Sequence, residues 1–584
     1  MKRAPAFVFA LAAICAIAAV FWKRSGPATG GPAPGSTAAR IDRLFAQWSR
    51  SDSPGCSLGV SRNGGVVYQR GYGMASLELG VPITPSHVFP AASISKQFTA
   101  MSILLLAQRG QLSLDDDVGK HVPDWGDHGS RITIRNLLNH TSGLRDAFLL
   151  EGLAPPRGEG GDPNEGILQF LVRARGLNFQ PGTEFQYNNG AYNLLGGIVK
   201  RVSGKSLREF ADANIFKPLG MTHTHFHDDP SMVVQNRVSG YHQDARGFHV
   251  ASENGGIVGN AGLQTTVGDL LSWEQNFADP RVGDRALLDA MQTPEMPTGW
   301  SEGSAYGFGV EIAKYRGLRT VGHGGGDRGI ASYVVRYPDQ EFAVALLCNL
   351  DNIGENGGVT RLTQQVAELY LSDALGPATP GSGSRTPVPV ALSVEQLASK
   401  VGLYRDLSDD SVARIFLRDA KLMASVGAGE EPSVQLTPAG GDRFVVAGTP
   451  IVVEFVPASA GCPQEVHVTG AGRPRLSELV SAFSPAAAEL QAFQGEYRSA
   501  EVEGTYTLAP LNGGLVLHIP GRADVQFQPV FGDAFAGETL GVIKFSRGTG
   551  GAVTGFTANS DGARRLPFDR VRRRPASPDD SHDL

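Results

Sequence analysis

Residues 93–108 read SISKQFTAMSILLLAQ, and the first four, Ser93-Ile94-Ser95-Lys96, set a hydroxyl and an amine three positions apart. Phe98, Met101 and Leu105 with their neighbours repeat at helical spacing, so the pattern predicts a helix over 93–108, ended by Gly110. Positions i and i+3 share one helix face, which brings Lys96 within reach of Ser93. A helix start favours negative charge on Ser93. A lysine withdrawn from water beside it gives up its proton more readily and assists attack. Alone, Ser-x-x-Lys reads equally well as a capping serine at an exposed helix start, but in this chain it occurs once.

Outward from this stretch, the flanks define a sheet. Ser57–Ser61 and Val66–Arg70 predict two strands about the turn Asn63-Gly64, a strong hairpin signal. Ser332–Tyr337 and Phe342–Leu347 predict two more, flanking Pro338-Asp339, while Ile41–Trp48 and Arg361–Leu371 read as helices. Strands thus come from both ends of a segment whose middle is helical. The reading is an α/β unit over 38–375, an antiparallel sheet flanked by helices.

A Pro/Gly-rich linker at 376–389 marks the clearest boundary. Beyond it, helical spacing gives way to short alternating strands separated by Gly, Asp and Pro, as in a barrel or sandwich. Leu397-x4-Gly402-x-Tyr404-Arg405 returns as Leu490-x4-Gly495-x-Tyr497-Arg498, and Asp442-Arg443-Phe444 is loosely echoed by Asp533-Ala534-Phe535. Two successive small β-domains are therefore expected, 390–480 and 484–571, followed by a solvated tail, 572–584. At the other end, Met1-Lys2-Arg3 and an apolar run to Trp22 form an export pattern over 1–24, before a second Pro/Gly linker at 25–37. A cleaved signal peptide and a single retained membrane anchor both fit. The expected address is the periplasm or the exterior.

With 584 residues, 41% hydrophobic and 19% charged, the chain has ample material for several packed cores. A net charge of −6 without a long basic run argues against nucleic acid, whose phosphates need clustered Lys and Arg. The cysteines Cys15, Cys56, Cys348 and Cys462 have neither metal spacing nor the density of a disulfide framework. Cys56 and Cys348 sit in apolar strands and read as core.

Two further stretches carry chemistry. Tyr187-Asn188-Asn189 precedes the apolar run Tyr192–Val199: a phenol beside a lysine can act as acid or base, and an amide can orient both lysine and substrate. Gly322-His323-Gly324-Gly325-Gly326 lets backbone approach a ligand closely and offers N–H groups to a substrate oxygen. Ser-x-x-Lys, Tyr-x-Asn and His-x-Gly in this order resemble the serine β-lactamase and penicillin-binding-protein superfamily, the second motif looking like its class C branch. Ile132–Leu144, Pro218-Leu219-Gly220-Met221 and Ala261-Gly262-Leu263 fit the same family, which covers roughly 38–372.

The resemblance implies Ser93 as acyl-enzyme nucleophile and Lys96 and Tyr187 as the acid/base pair, without saying which takes the first proton. It also implies Asn189, His323 and Gly325 as substrate-orienting groups, and the N–H groups of Ser93 and Gly326 as the oxyanion hole. His323 stands where class C β-lactamases carry a lysine, so the permanent cation that would hold a substrate carboxylate is absent. His-x-Gly resembles the D-aminopeptidase and esterase relatives instead, and the former also carry two lipocalin-like β-barrels, which can project loops over the cleft. The expectation is an exported serine hydrolase of small peptides, amides or esters, with D-aminopeptidase activity first. Carboxylesterase, β-lactamase or D,D-peptidase activity, and a non-catalytic module binding cell-wall peptides, are the alternatives. No cofactor or metal is expected, although His223, His225 and His227 alternate as a metal-binding strand would. The sequence says nothing of oligomeric state.

Overall fold

A computed structural model describes residues 33 and 35–571. It leaves out 157–161, 252–254, 302, 354–357, 378–391, 428, 448, 450, 460–462, 471 and 539. The export pattern, most of both linkers and the tail lie outside the described residues. Among those described, no helix is long and apolar enough to cross a membrane.

The α/β unit is built on an eight-stranded antiparallel sheet. Its order is Met296–Pro297, Ala305–Tyr306, Glu311–Tyr315, Leu318–Asp327, Ile330–Tyr337, Phe342–Cys348, Cys56–Arg62 and Gly65–Tyr72. The first two strands of the sequence close the sheet beside its last, as strands from both ends required. Asn63 and Gly64, both at positive φ, give the primed turn that matches strand twist. Alternation assigns the faces. Leu58, Val60, Val344 and Leu346 pack under helices Thr37–Leu44 and Gly358–Tyr370. Ala343, Ala345, Leu347 and Val334 face the core shared with helix Ser95–Gln108. Both faces are covered, so Phe342–Cys348 is apolar throughout and wholly buried.

One expectation is corrected here. Cys56 and Cys348 are core residues, but they also pair directly across neighbouring strands and form a disulfide. Their sequence separation of 292 residues hid a contact that only the sheet register creates.

Two closed eight-stranded barrels follow, spanning Gly402–Val480 and Gly495–Arg570, each sealed by pairing its first strand with its last. The repeat is a structural device. Leu397 and Leu490 plug the barrels from short helices, and the Tyr404 and Tyr497 hydroxyls donate to the carbonyls of Lys400 and Phe493, at 2.9 and 2.7 Å. The Asp442 and Asp533 carbonyls accept from the Phe455 and Phe545 N–H groups, both at 2.9 Å.

Candidate active site

Ser93 stands in a single 3-10 turn, Ala92–Ile94, before helix Ser95–Gln108 begins. The helix therefore starts two residues later than its periodicity suggests. Ala92 holds a left-handed φ of 47°, an uncommon conformation for alanine that aims the next residue into the cleft. The bend is braced: the Ser95 hydroxyl donates to Ala92 O at 2.5 Å and accepts from Leu263 N at 3.0 Å, while Ala91 N donates to Leu263 O at 2.8 Å.

Lys96 is fully buried, and its Nζ has three oxygen neighbours: Ser93 Oγ at 3.0 Å, Asn189 Oδ1 at 2.9 Å and the Asn260 carbonyl at 2.8 Å. Burial pushes its pKa well below the lysine range, and the nearby Asp146 carboxylate only partly opposes this. A neutral amine has two N–H groups and one lone pair. Asn189 Oδ1 and the Asn260 carbonyl can only accept, so they take the two N–H groups and leave the lone pair facing the Ser93 hydroxyl. Burial pushes the Tyr187 phenol above its usual pKa, which the Ser93 hydroxyl only partly opposes, so it stays protonated. The Tyr187 ring lies 4.7 Å from Lys96 Nζ.

Asn189 opens helix Asn189–Ser203, whose N-cap is Asn188, with a side chain that accepts from Ala191 N at 2.9 Å. His323 has a partner for each ring nitrogen: its Nδ1–H donates to the Gly324 carbonyl at 2.5 Å, which leaves Nε2 to accept from the Tyr306 hydroxyl at 2.8 Å. Burial and the neighbouring Lys96 push its pKa down to about 3, so it is neutral at physiological pH.

A cavity of about 250 Å³ opens beside these groups, lined among others by Ser93, Asn189, Asn260 and Gly326. Strand Leu318–Asp327 pairs with Glu311–Tyr315 only as far as Gly322, so from His323 onward one edge is free toward Ser93. Gly325 does not line the cavity. A Cβ there would stand 2.4 Å from both the Ala91 carbonyl and Ser332 Oγ, so its glycine serves close packing of the strand on the Ser93 turn, not substrate contact.

Several neighbours escaped the sequence reading. His140, inside the family-like run Ile132–Leu144, is fully buried, packs 4.4 Å from the Tyr187 ring and accepts from Asn188 N at 3.1 Å. Asn260 precedes the Ala261-Gly262-Leu263 run, which was the available signal. His227 lines the cavity, 3% exposed, with a buried Nδ1 that has no partner among the described residues. The three alternating histidines do not form one strand face, because the strand there is only His225–Phe226 and His223 turns toward Asp269. Among the described residues, no three His, Cys, Asp or Glu side chains converge as a metal site would require.

The family model for beta-lactamase matches residues 41–368, more than half of the chain. The chain belongs to the beta-lactamase family. A D-aminopeptidase of Brucella anthropi is 29% identical over 396 residues, covering 66% of this chain and 72% of that protein. Two solved structures share the fold at 24% identity. The octameric penicillin-binding protein homologue from Pyrococcus abyssi has a TM-score of 0.53 and covers 76% of this chain and 100% of its own. The D-amino acid amidase from Ochrobactrum anthropi SV3, complexed with L-phenylalanine amide, has 0.50 and covers 58% and 99%. This chain is a serine hydrolase of that family.

Proposed function

We propose that this family member is an exported D-stereospecific aminopeptidase working through a Ser93 acyl-enzyme. Lys96 takes the Ser93 proton into its lone pair as Oγ attacks the substrate carbonyl. The backbone N–H groups of Ser93 and Gly326 receive the oxyanion. Tyr187 gives a proton to the departing amine and regains one from the Lys96 ammonium; water then hydrolyses the ester by the reverse proton path. The observation that carries this assignment is the buried Lys96, whose two other neighbours are obligate acceptors. It favours Lys96 over Tyr187 as first base, because burial moves the two pKa values in opposite directions.

The D-aminopeptidase relatives support the substrate class, and the neutral His323 supports a preference against carboxylate-bearing β-lactams. The apolar N-terminal run and the Cys56–Cys348 disulfide, a bond that persists in oxidising compartments, support export. The test compares wild type with Ser93→Ala on D-alanyl and L-alanyl p-nitroanilides and a p-nitrophenyl ester. Ser93-dependent cleavage of the D-anilide with the L-anilide inert is expected. Ester cleavage with both anilides inert would make the protein an esterase.

A further inference from the structure

Strand Leu318–Asp327 carries one residue that the catalytic assignment leaves unused. Side chains alternate along a strand, so His323, Gly325 and Asp327 share a face. That face is the one turned toward the Ser93 turn, because Gly325 abuts Ala91 and Ala92. Asp327 lines the same cavity as Ser93, next in sequence to Gly326. It is exposed, accepts only from the Arg328 N–H at 2.7 Å, and forms no ion pair among the described residues.

The charge pattern is what points to a ligand. Among the described residues lining the cavity, Asp327 is the one formal charge at neutral pH. The groups behind it, Lys96 and His323, are both held toward their neutral forms by burial. A substrate carboxylate entering this cleft meets a like charge and no cation among the described lining residues, whereas an ammonium meets an unpaired carboxylate beside the oxyanion donor. In an α-amino acyl group the nitrogen is separated from the carbonyl carbon by a single carbon. A carbonyl held at Gly326 therefore brings its α-ammonium to the neighbouring residue, one 3.8 Å Cα step along the strand. Such charge-assisted hydrogen bonds are about twice as strong as neutral ones.

We infer that Asp327 is a specificity-determining residue that binds the free α-ammonium of the acyl-side residue, restricting the enzyme to substrates with an unblocked amino terminus. The inference rests on the aminopeptidase reading and names the group that enforces it. His227 and Gln264, on the same cavity wall, supply polar surface but no charge at neutral pH, burial having moved the His227 pKa down.

The experiment measures kcat/KM for D-alanyl p-nitroanilide and for its deaminated analogue, propionyl p-nitroanilide, in wild type, Asp327→Asn and Asp327→Glu. Wild type is expected to prefer the amine. Asp327→Asn should reduce that preference at least tenfold, chiefly through KM, and Asp327→Glu should recover part of it. Raising the salt concentration should weaken the wild-type preference and leave that of Asp327→Asn flat. An undiminished preference in Asp327→Asn overturns the inference while the aminopeptidase reading stands. A wild-type enzyme that cleaves no D-alanyl anilide overturns that reading, and the inference with it.

Discussion

The two C-terminal barrels share a strand plan, a plugging leucine and a tyrosine latch, yet they relate to the catalytic unit in different ways. The second barrel is fused to it: Tyr497, Tyr506, Phe527 and Phe568 belong to the same apolar core as Phe98, Leu150 and Tyr192. Its Tyr506 hydroxyl donates to Leu153 O at 2.8 Å, and Arg564 pairs with Glu184 at 3.0 Å. Arg145 and Glu501 form an ion pair with both side chains almost wholly buried. The first barrel keeps its own core around Tyr404, Phe444 and Phe455. It reaches the catalytic unit by the Gly472 N–H to Gly299 O bond of 3.1 Å, and the second barrel through Leu403, Val412 and Phe531. One fold, used twice, is a structural wall in one copy and an outlying module in the other. The loop Asn559–Arg565 is not among the described residues that line the cavity; it braces the flank. Gly562 O accepts from Asp146 N at 2.8 Å, and the Asp561 carbonyl accepts from Gln186, the residue before Tyr187.

The sharpest way to break this comparison is to remove a buried carboxylate from each barrel. Glu501→Ala strands a guanidinium that water cannot reach, which costs about 3–5 kcal/mol when a buried pair loses one member. Asp409→Ala, equally buried, leaves Arg473 and Arg475 partly exposed and still beside Asp406, so about 1–2 kcal/mol is expected. Urea unfolding followed together with residual hydrolysis should show the Glu501 change lowering the midpoint of activity loss. The Asp409 change should leave that midpoint within error. Equal effects on activity would mean that the first barrel is as deeply coupled as the second.

A smaller effect tests what the barrels share. Tyr404→Phe and Tyr497→Phe each remove a buried hydroxyl donor from a backbone carbonyl, and each should cost about 1 kcal/mol. If the latches are the same device, the two losses agree within error by denaturant melts. A several-fold disparity would show that the repeated residues serve different ends.

How much of this was legible beforehand follows from the range of each interaction. The Ser93–Lys96 pair was readable because it is local, three residues apart on one turn, and the barrels because strand alternation and the Leu-Gly-Tyr repeat are local as well. The order of motifs carried Tyr187, Asn189 and His323 through the family resemblance, since nothing in their spacing reveals that residues 93, 187 and 323 meet. Asn260 contributes a carbonyl, which its side chain does not announce. His140 acts through a ring buried under Tyr187, and a lone histidine in an apolar run reads as core. The Cys56–Cys348 bond depends on the register between strands at opposite ends of the unit. The fusion of the second barrel rests on Arg145, Asn178 and Glu501, ordinary polar residues until the chain is folded.

The finest prediction concerns a charge that the second barrel helps to hold. Asp146 caps helix Ala147–Leu153, accepting from Phe148 N and Leu149 N at 2.9 and 3.0 Å, and its own N–H is fixed by Gly562 O. Its carboxylate pulls the Lys96 pKa upward against the dominant effect of burial. With Lys96 as base, kcat/KM rises with pH as the ammonium loses its proton, along a limb well below the ordinary lysine range. Asp146→Asn keeps an oxygen for the cap and removes the charge. The ammonium loses a favourable neighbour, its pKa falls further, and the rising limb moves to lower pH. Asp410→Asn, in the first barrel, should leave the limb where it is. A pH profile of D-alanyl p-nitroanilide hydrolysis for the three proteins separates the cases. An upward shift or no shift in Asp146→Asn would mean that Lys96 is not the titrating base. A shift in Asp410→Asn would mean that the outlying barrel also sets the electrostatics of the cleft.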